Sequence, residues 1–241
     1  RFYFLGVHFD SLTMEESLQK CEELIMNRNA QHVVINASKI VLAESSKPLR
    51  KIINECALIN VDGMSIVWAA RLMRIPVPQR VTGIDLMYRL LESARDKNYR
   101  VYLLGAREDV MEKVASNFKK SGIRIVGQRN GYWSESEEDS IVANIARTRP
   151  DLLLVAMPSP QKELFLSRNM GNLNVGLAFG VGGSFDVEAG VTQRAPLVLQ
   201  KMGLEWFFRL VQEPRKMFKR YLVGNLKFSC LYLKWVLGFR W

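Results

Sequence analysis

Histidine and cysteine are scarce in this chain. Its 241 residues contain two histidines, His8 and His32, and three cysteines, Cys21, Cys56 and Cys230, all far apart. No CxxC pair or His/Cys cluster results, so neither a structural zinc site nor a disulfide framework is expected, and a reducing compartment fits. Long apolar runs are missing too: Lys227, Lys234 and Arg240 break every window of about 18 residues in the most apolar region, which excludes a spanning helix there. The opening Arg1-Phe-Tyr-Phe-Leu-Gly-Val-His8-Phe9 is too short and polar for a signal-peptide core, so nothing in it directs the chain out of the cytosol. The glycine signatures of common nucleotide enzymes are incomplete. In Gly180-Val-Gly-Gly-Ser184-Phe185-Asp186 no Gly-Lys-Ser/Thr follows, and Phe185 stands where a dinucleotide fingerprint needs its third glycine. An NAD-dependent oxidoreductase is therefore disfavoured.

What remains is globular. Apolar residues make up 48% and charged residues 24%, with no low-complexity tract or repeat, and the length suits one large domain with at most a small appendage. Short apolar runs at 2–5, 32–35, 57–61, 100–104, 124–126, 152–156 and 176–179 are predicted strands, several apolar on both faces as doubly covered strands are. Amphipathic segments alternate with them: one starts after the capping box Thr13-Met-Glu-Glu16, and others lie near 63–73, 83–97, 107–119, 135–148 and 161–169. This alternation predicts an α/β fold, a Rossmann-like, mostly parallel sheet flanked by helices. Beyond Pro196 the pattern is helical only, so we divide the chain into an α/β domain, 1–195, and a helical appendage, 196–241.

The formal charge is +10, and from Arg194 onward ten basic residues face only Glu205 and Glu213. Without a zinc-finger, RNP or helix-turn-helix signature, nucleic acid is a poor partner for that charge. An anionic membrane or a lipid pyrophosphate fits better, since aromatic and aliphatic residues are interleaved with the Lys and Arg.

In open α/β sheets ligands bind beyond the carboxyl ends of the strands. Five polar loops fall there: Asn36-Ala-Ser38-Lys39, Asp62-Gly63, Gly105-Ala-Arg107, Pro158-Ser-Pro160-Gln161-Lys162 and Gly180-Val-Gly182-Gly183-Ser184. Asp62 can be read as the N-cap of a helix or as a general base in a cleft. In Arg80-Val-Thr82-Gly83-Ile-Asp85, Thr82 caps a helix and Asp85 favours its positive end, or the helix start and Arg80 together receive a pyrophosphate. The glycines at 182 and 183 let backbone N–H groups approach an anion. Asp186 and Glu188 lack the further ligands a metal would need, so no metal or cofactor is implied.

These blocks, with Trp68-Ala-Ala-Arg71, Asn130-Gly131-Tyr132, Arg194-Ala-Pro196, Gly203-Leu-Glu-Trp206, Arg209, Gln212-Glu-Pro-Arg215 and Arg220-Tyr-Leu-Val-Gly-Asn225, resemble the WecG/TagA/CpsF family of glycosyltransferases from about Gly6 to Asn225. The resemblance implies an inverting, metal-independent bacterial enzyme of cell-surface polysaccharide synthesis. It would move a sugar from a UDP-sugar to an undecaprenyl-pyrophosphate-linked saccharide, as a peripheral protein on the cytoplasmic face of the inner membrane. Asp62 matches the family's proposed base, and Asn36, Arg80 and Thr82 its cleft residues. Gly83, Asp85, Gly105, Gln161, Lys162, Gly182, Gly183, Ser184 and Asp186 complete the expected substrate site. Arg209, Arg215 and Arg220 are expected to contact the lipid pyrophosphate. Two positions depart from the pattern: Val34 replaces a usual threonine, and Lys162 stands at the family's glutamine. The donor sugar therefore stays open between N-acetylmannosamine and a hexose such as glucose, self-association stays open, and a non-catalytic nucleotide-sugar binding protein at the membrane is the alternative.

Overall fold

A computed structural model describes residues 1–238, apart from the side chains of Lys201, Lys216, Met217, Lys219 and Arg220. The chain runs β1 (Phe2–Phe4), β2 (Val7–Phe9), α1 (Met14–Asn27), β3 (Ala30–Ile35), α2 (Ala37–Ser45), α3 (Lys47–Glu55), β4 (Leu58–Val61) and α4 (Met64–Leu72). It continues through α5 (Gly83–Asp96), β5 (Val101–Gly105), α6 (Glu108–Lys120), β6 (Ile125–Arg129), α7 (Glu138–Thr148), β7 (Leu152–Ala156), α8 (Gln161–Leu173), β8 (Leu177–Gly180) and α9 (Ser184–Glu188). The C-terminal part holds α10 (Leu197–Lys201), α11 (Glu205–Gln212), α12 (Pro214–Phe218), a π-helical turn (Lys219–Val223) and α13 (Gly224–Val236).

Six strands form one parallel sheet in the order β4-β3-β8-β7-β5-β6. Side-chain alternation divides its two faces. Along β7, Leu152, Leu154 and Ala156 enter the cluster built with α1, α5 and α6, whereas Leu153 and Val155 pack with α7 and α8. Val33, Ile35, Ile59 and Val61 join a third cluster with α2, α3 and α4. Layers of helices on both sides explain why the central strands β7 and β8 are apolar throughout.

The first predicted strand does form, but outside this sheet. Leu5 and Gly6 both have positive φ, 50° and 84°, and make a two-residue hairpin turn that pairs β1 antiparallel with β2. Helices α2 and α3 were not expected from the sequence. Asn36 caps α2 by accepting from the Lys39 N–H at 3.0 Å, and Ser46 caps α3 by accepting from Leu49. In α2 the buried set of Ala37, Ile40 and Ala43 is small and also includes the charged Lys39, so its helical period is faint; α3 is clearly amphipathic but short, with only Leu49 and Ile53 buried.

The C-terminal helices pack onto the sheet domain rather than standing apart. Phe228 and Trp235 of α13 enter the cluster containing Val33 and Ile59, and the Trp235 ring lies 5.7 Å from that of Tyr3. Gly203, at φ 73°, passes so close to α4 that a Cβ there would lie 2.5 Å from Met64 Cγ. Among the described residues no helix is long and apolar enough to cross a membrane.

Candidate active site

The carboxyl ends of β3, β4 and β8, neighbours in the sheet, bring the polar loops that follow them together at the candidate cleft. Asp62 follows β4, and its N–H donates to the Ile35 carbonyl at 3.0 Å, which fixes the backbone just past the sheet edge. Of its two sequence readings the capping one falls away: the N-cap of α4 is Gly63, with no side-chain capping bond. Gly63 makes a close approach here: a Cβ on it would lie 3.1 Å from both Cα and Cβ of Asn36, so a larger residue would press the two loops apart. The Asp62 carboxylate instead faces the backbone N–H of Gly83, the first residue of α5, which favours its charged form.

Burial raises the pKa of Asp62 above the ordinary carboxylate range; Arg80 opposes this, Glu205 reinforces it, and the Gly83 N–H and Arg209 lower it again. Geometry explains those signs. Arg80 donates to the carboxylate of Glu205, the first residue of α11. Arg194 donates to Asp85 at 2.6 Å and lies 3.8 Å from Glu205. Thr82 caps α5, accepting from the Asp85 N–H at 3.2 Å and donating its hydroxyl to the Asp85 carboxylate. Arg80, far from being a solvated charge, is thus one link in an alternating chain of acids and bases beside Asp62. Val34 lies beneath: its methyls would be 3.5 and 3.6 Å from a Cβ on Gly83, so an apolar side chain supports the start of α5 here.

On the other side of the cleft, β8 ends in the turn Gly180-Val181-Gly182-Gly183, with Gly182 at φ 54°. The Arg209 guanidinium hangs over it, and a Cβ on Gly183 would lie 3.4 Å from Arg209 Nη2 and 3.7 Å from Asp186 Oδ2. Ser184 is buried and donates to the Val181 carbonyl at 2.8 Å, closing the turn. Glu188 accepts from Tyr88 and Asn117.

The remaining expected site residues occupy varied surroundings. Gly105, at φ 112°, presses against β7, where a Cβ would lie 2.5 Å from the Ala156 carbonyl oxygen. Gln161 is exposed at the start of α8. Lys162 is buried against Gly180 and close to Ser159, 3.3 Å, and Glu163, 3.5 Å. Arg215 is exposed, and the Arg220 side chain lies outside the described residues.

Sequence reasoning assigned no site role to two groups, although the first falls within blocks that carry the family resemblance. The first is Glu205 with Arg194, which tie α11 to Arg80 and Asp85. The second is the buried pair Lys39–Glu163, 2.7 Å apart, joining α2 to α8. Burial would raise the pKa of Glu163, but Lys39 and Lys162 together hold it down to about 2. A signal existed for the second: Lys39 and Glu163 each follow an apolar strand within a few residues, where an unpaired charge would be costly.

Comparison with known proteins accords with this geometry. A staphylococcal protein named N-acetylglucosaminyldiphosphoundecaprenol N-acetyl-beta-D-mannosaminyltransferase, from Staphylococcus aureus strain MW2, is 27% identical over 226 residues, covering 92% of this chain and 87% of its own length. The sequence profile of the WecG/TagA/CpsF family matches residues 2–240, and the chain therefore belongs to that family of glycosyl transferases.

Proposed function

We propose that the enzyme transfers a sugar from a UDP-sugar to a saccharide carried on undecaprenyl pyrophosphate, by single displacement with inversion. The observation that carries this reading is the placement of Asp62: a carboxylate of raised proton affinity at the sheet's carboxyl edge, between Arg80 and Arg209. In this mechanism Asp62 takes the proton of an acceptor hydroxyl. The hydroxyl oxygen bonds to the anomeric carbon as the bond from that carbon to the diphosphate oxygen breaks, and UDP departs with the electron pair. Backbone N–H groups of the Gly182-Gly183 turn, with Arg80 and Arg209, are suited to the charge that develops on the leaving diphosphate.

The acceptor reading draws on the staphylococcal relative, whose name specifies a diphosphoundecaprenol-linked N-acetylglucosamine acceptor. It is supported by the C-terminal surface. On α13 and its C-cap Leu237, Phe228, Leu231 and Trp235 face the core, while Leu226, Leu233 and Leu237 are exposed, as are Lys227 and Lys234. A helix apolar on two sides with flanking lysines suits a protein resting on anionic lipid, its apolar side chains in the interface. The cytoplasmic face of the bacterial inner membrane is the location this implies. The donor sugar is the finer question, and Val34 beside Gly83 and Lys162 beside Gly180 are where it differs from the family pattern. Incubation with a panel of UDP-sugars and a short-chain lipid pyrophosphate acceptor, scoring UDP release, tests the proposal. UDP release that does not depend on the acceptor, or none with any donor, would overturn it.

A further inference from the structure

We infer that Glu205 is a positioning residue of the transfer reaction: a carboxylate delivered by α11 that holds the Arg80 guanidinium beside Asp62 and completes the base only when α11 is docked on the cleft. The inference rests on the reading of Asp62 as the base.

Three observations converge on Glu205. Its carboxylate receives Arg80 and stands 3.8 Å from Arg194 Nε, a buried N–H with no hydrogen-bond acceptor of its own. Both side chains of the Arg80–Glu205 pair are largely withdrawn from water, at 16% and 23% exposure, so their charges are weakly screened. Glu205 also opens the helix that carries Arg209 over Gly183, so one short element supplies the acid near Arg80 and the cation near the glycine turn. The groups facing Asp62 come from three segments: Arg80 from the loop before α5, the Gly83 N–H from α5 itself, and Glu205 and Arg209 from α11. Among the described residues with a leading influence on Asp62, Glu205 is the negative one. Without it, Asp62 would sit between two guanidiniums and hold its proton too weakly to serve as an efficient base; with it, the field of Arg80 is offset and the arginine is kept from closing directly onto Asp62. Docking of the C-terminal helices thereby becomes a condition for base strength, in addition to any part they have in holding the acceptor.

The test is the pH dependence of kcat/KM for Glu205→Gln, with Glu205→Asp and Asp62→Asn measured alongside and folding followed by circular dichroism. Glutamine keeps the size and removes the charge. The acid limb of the profile should move to lower pH and the plateau should fall, whereas loss of a mere structural prop would lower the plateau and leave the limb in place. Glu205→Asp, which retains the charge but withdraws it by one methylene, should lie between wild type and Glu205→Gln in both respects. A Glu205→Gln limb that coincides with wild type, at any plateau, overturns the inference. If Glu205→Gln does not fold, Glu205→Asp decides, and wild-type limb and plateau in that variant overturn it. Failure of the underlying reading looks different: Asp62→Asn would then remain active.

Discussion

Asp62 carries two opposed consequences of one placement. On the proposed mechanism, its replacement by asparagine should reduce turnover about 10²–10⁴-fold, the usual loss for a general base. Folding should be retained, because the amide oxygen can still face the Gly83 N–H. The same burial that raises its pKa makes the charged form unfavourable in the folded protein. The folded state then holds the Asp62 proton more tightly than the unfolded state, so this residue's contribution to stability declines as pH rises through the raised pKa. Asp62→Asn is free of that effect. Its Tm should exceed that of wild type at neutral pH, and the gap should close as pH falls below the ordinary carboxylate range; thermal melts across pH check it. A variant that is both active and no more stable would remove Asp62 from the site. Asp62 was legible in the sequence because an acid directly after an apolar strand is conspicuous. Glu205 was not, since its partner Arg80 is 125 residues away and each alone reads as a surface charge.

At the level of elements, the buried bridge between α2 and α8 sets a second expectation. Glu163 is fully buried, and Lys39 and Lys162 both lie against it. Removing one partner of a buried pair leaves the other uncompensated, at about 3–5 kcal/mol. Glu163→Gln should therefore destabilise by that order in chemical denaturation, much more than any exposed pair such as Lys51–Glu55. The pH sign is the reverse of that for Asp62. With its folded pKa lowered from 4.5 to about 2, Glu163 stabilises above the higher value, and that contribution is lost as pH falls between the two. A neutral-pH loss under 1 kcal/mol would show that water reaches the lysines instead. Elements were unevenly legible for physical reasons. Strands covered on both faces advertise themselves as solid apolar runs, which is why 152–156 matched β7 to the residue. Whether a strand joins the main sheet depends on long-range pairing, and a two-residue turn at Leu5-Gly6 was enough to send β1 elsewhere. The end of β6 at Arg129 was also hidden, because Gly127, Gln128 and Arg129 carry no apolar alternation.

For the whole molecule, the question is how one C-terminal segment can pack on the core and, on the proposed reading, also rest on a lipid surface. Its composition announced an amphipathic, basic tail, but composition cannot say which apolar residues face inward. Helix α13 with its C-cap Leu237 separates them: Phe228, Leu231 and Trp235 are 4%, 8% and 8% exposed, while Leu226, Leu233 and Leu237 are 68%, 57% and 73% exposed. The spacing of the outer set, four and seven residues, keeps it on one face. Deleting the tail would therefore strip the core as well, and a substitution that leaves the inner face alone is the cleaner experiment. Leu226→Ser, Leu233→Ser and Leu237→Ser combined should fold like wild type. At roughly 1.5–3 kcal/mol for each leucine withdrawn from water, the triple variant should lose at least ~100-fold in partitioning onto anionic liposomes. Transfer to a membrane-embedded acceptor should fall with it, while transfer to a short-chain, water-soluble acceptor should survive. Trp235→Ala is the contrasting change, expected to destabilise the fold by about 3–5 kcal/mol because it empties a site shared with the sheet cluster. Sedimentation with liposomes, paired with the two transfer assays, separates these outcomes. If the triple serine variant binds liposomes as wild type does, the outward face of α13 is not the membrane contact.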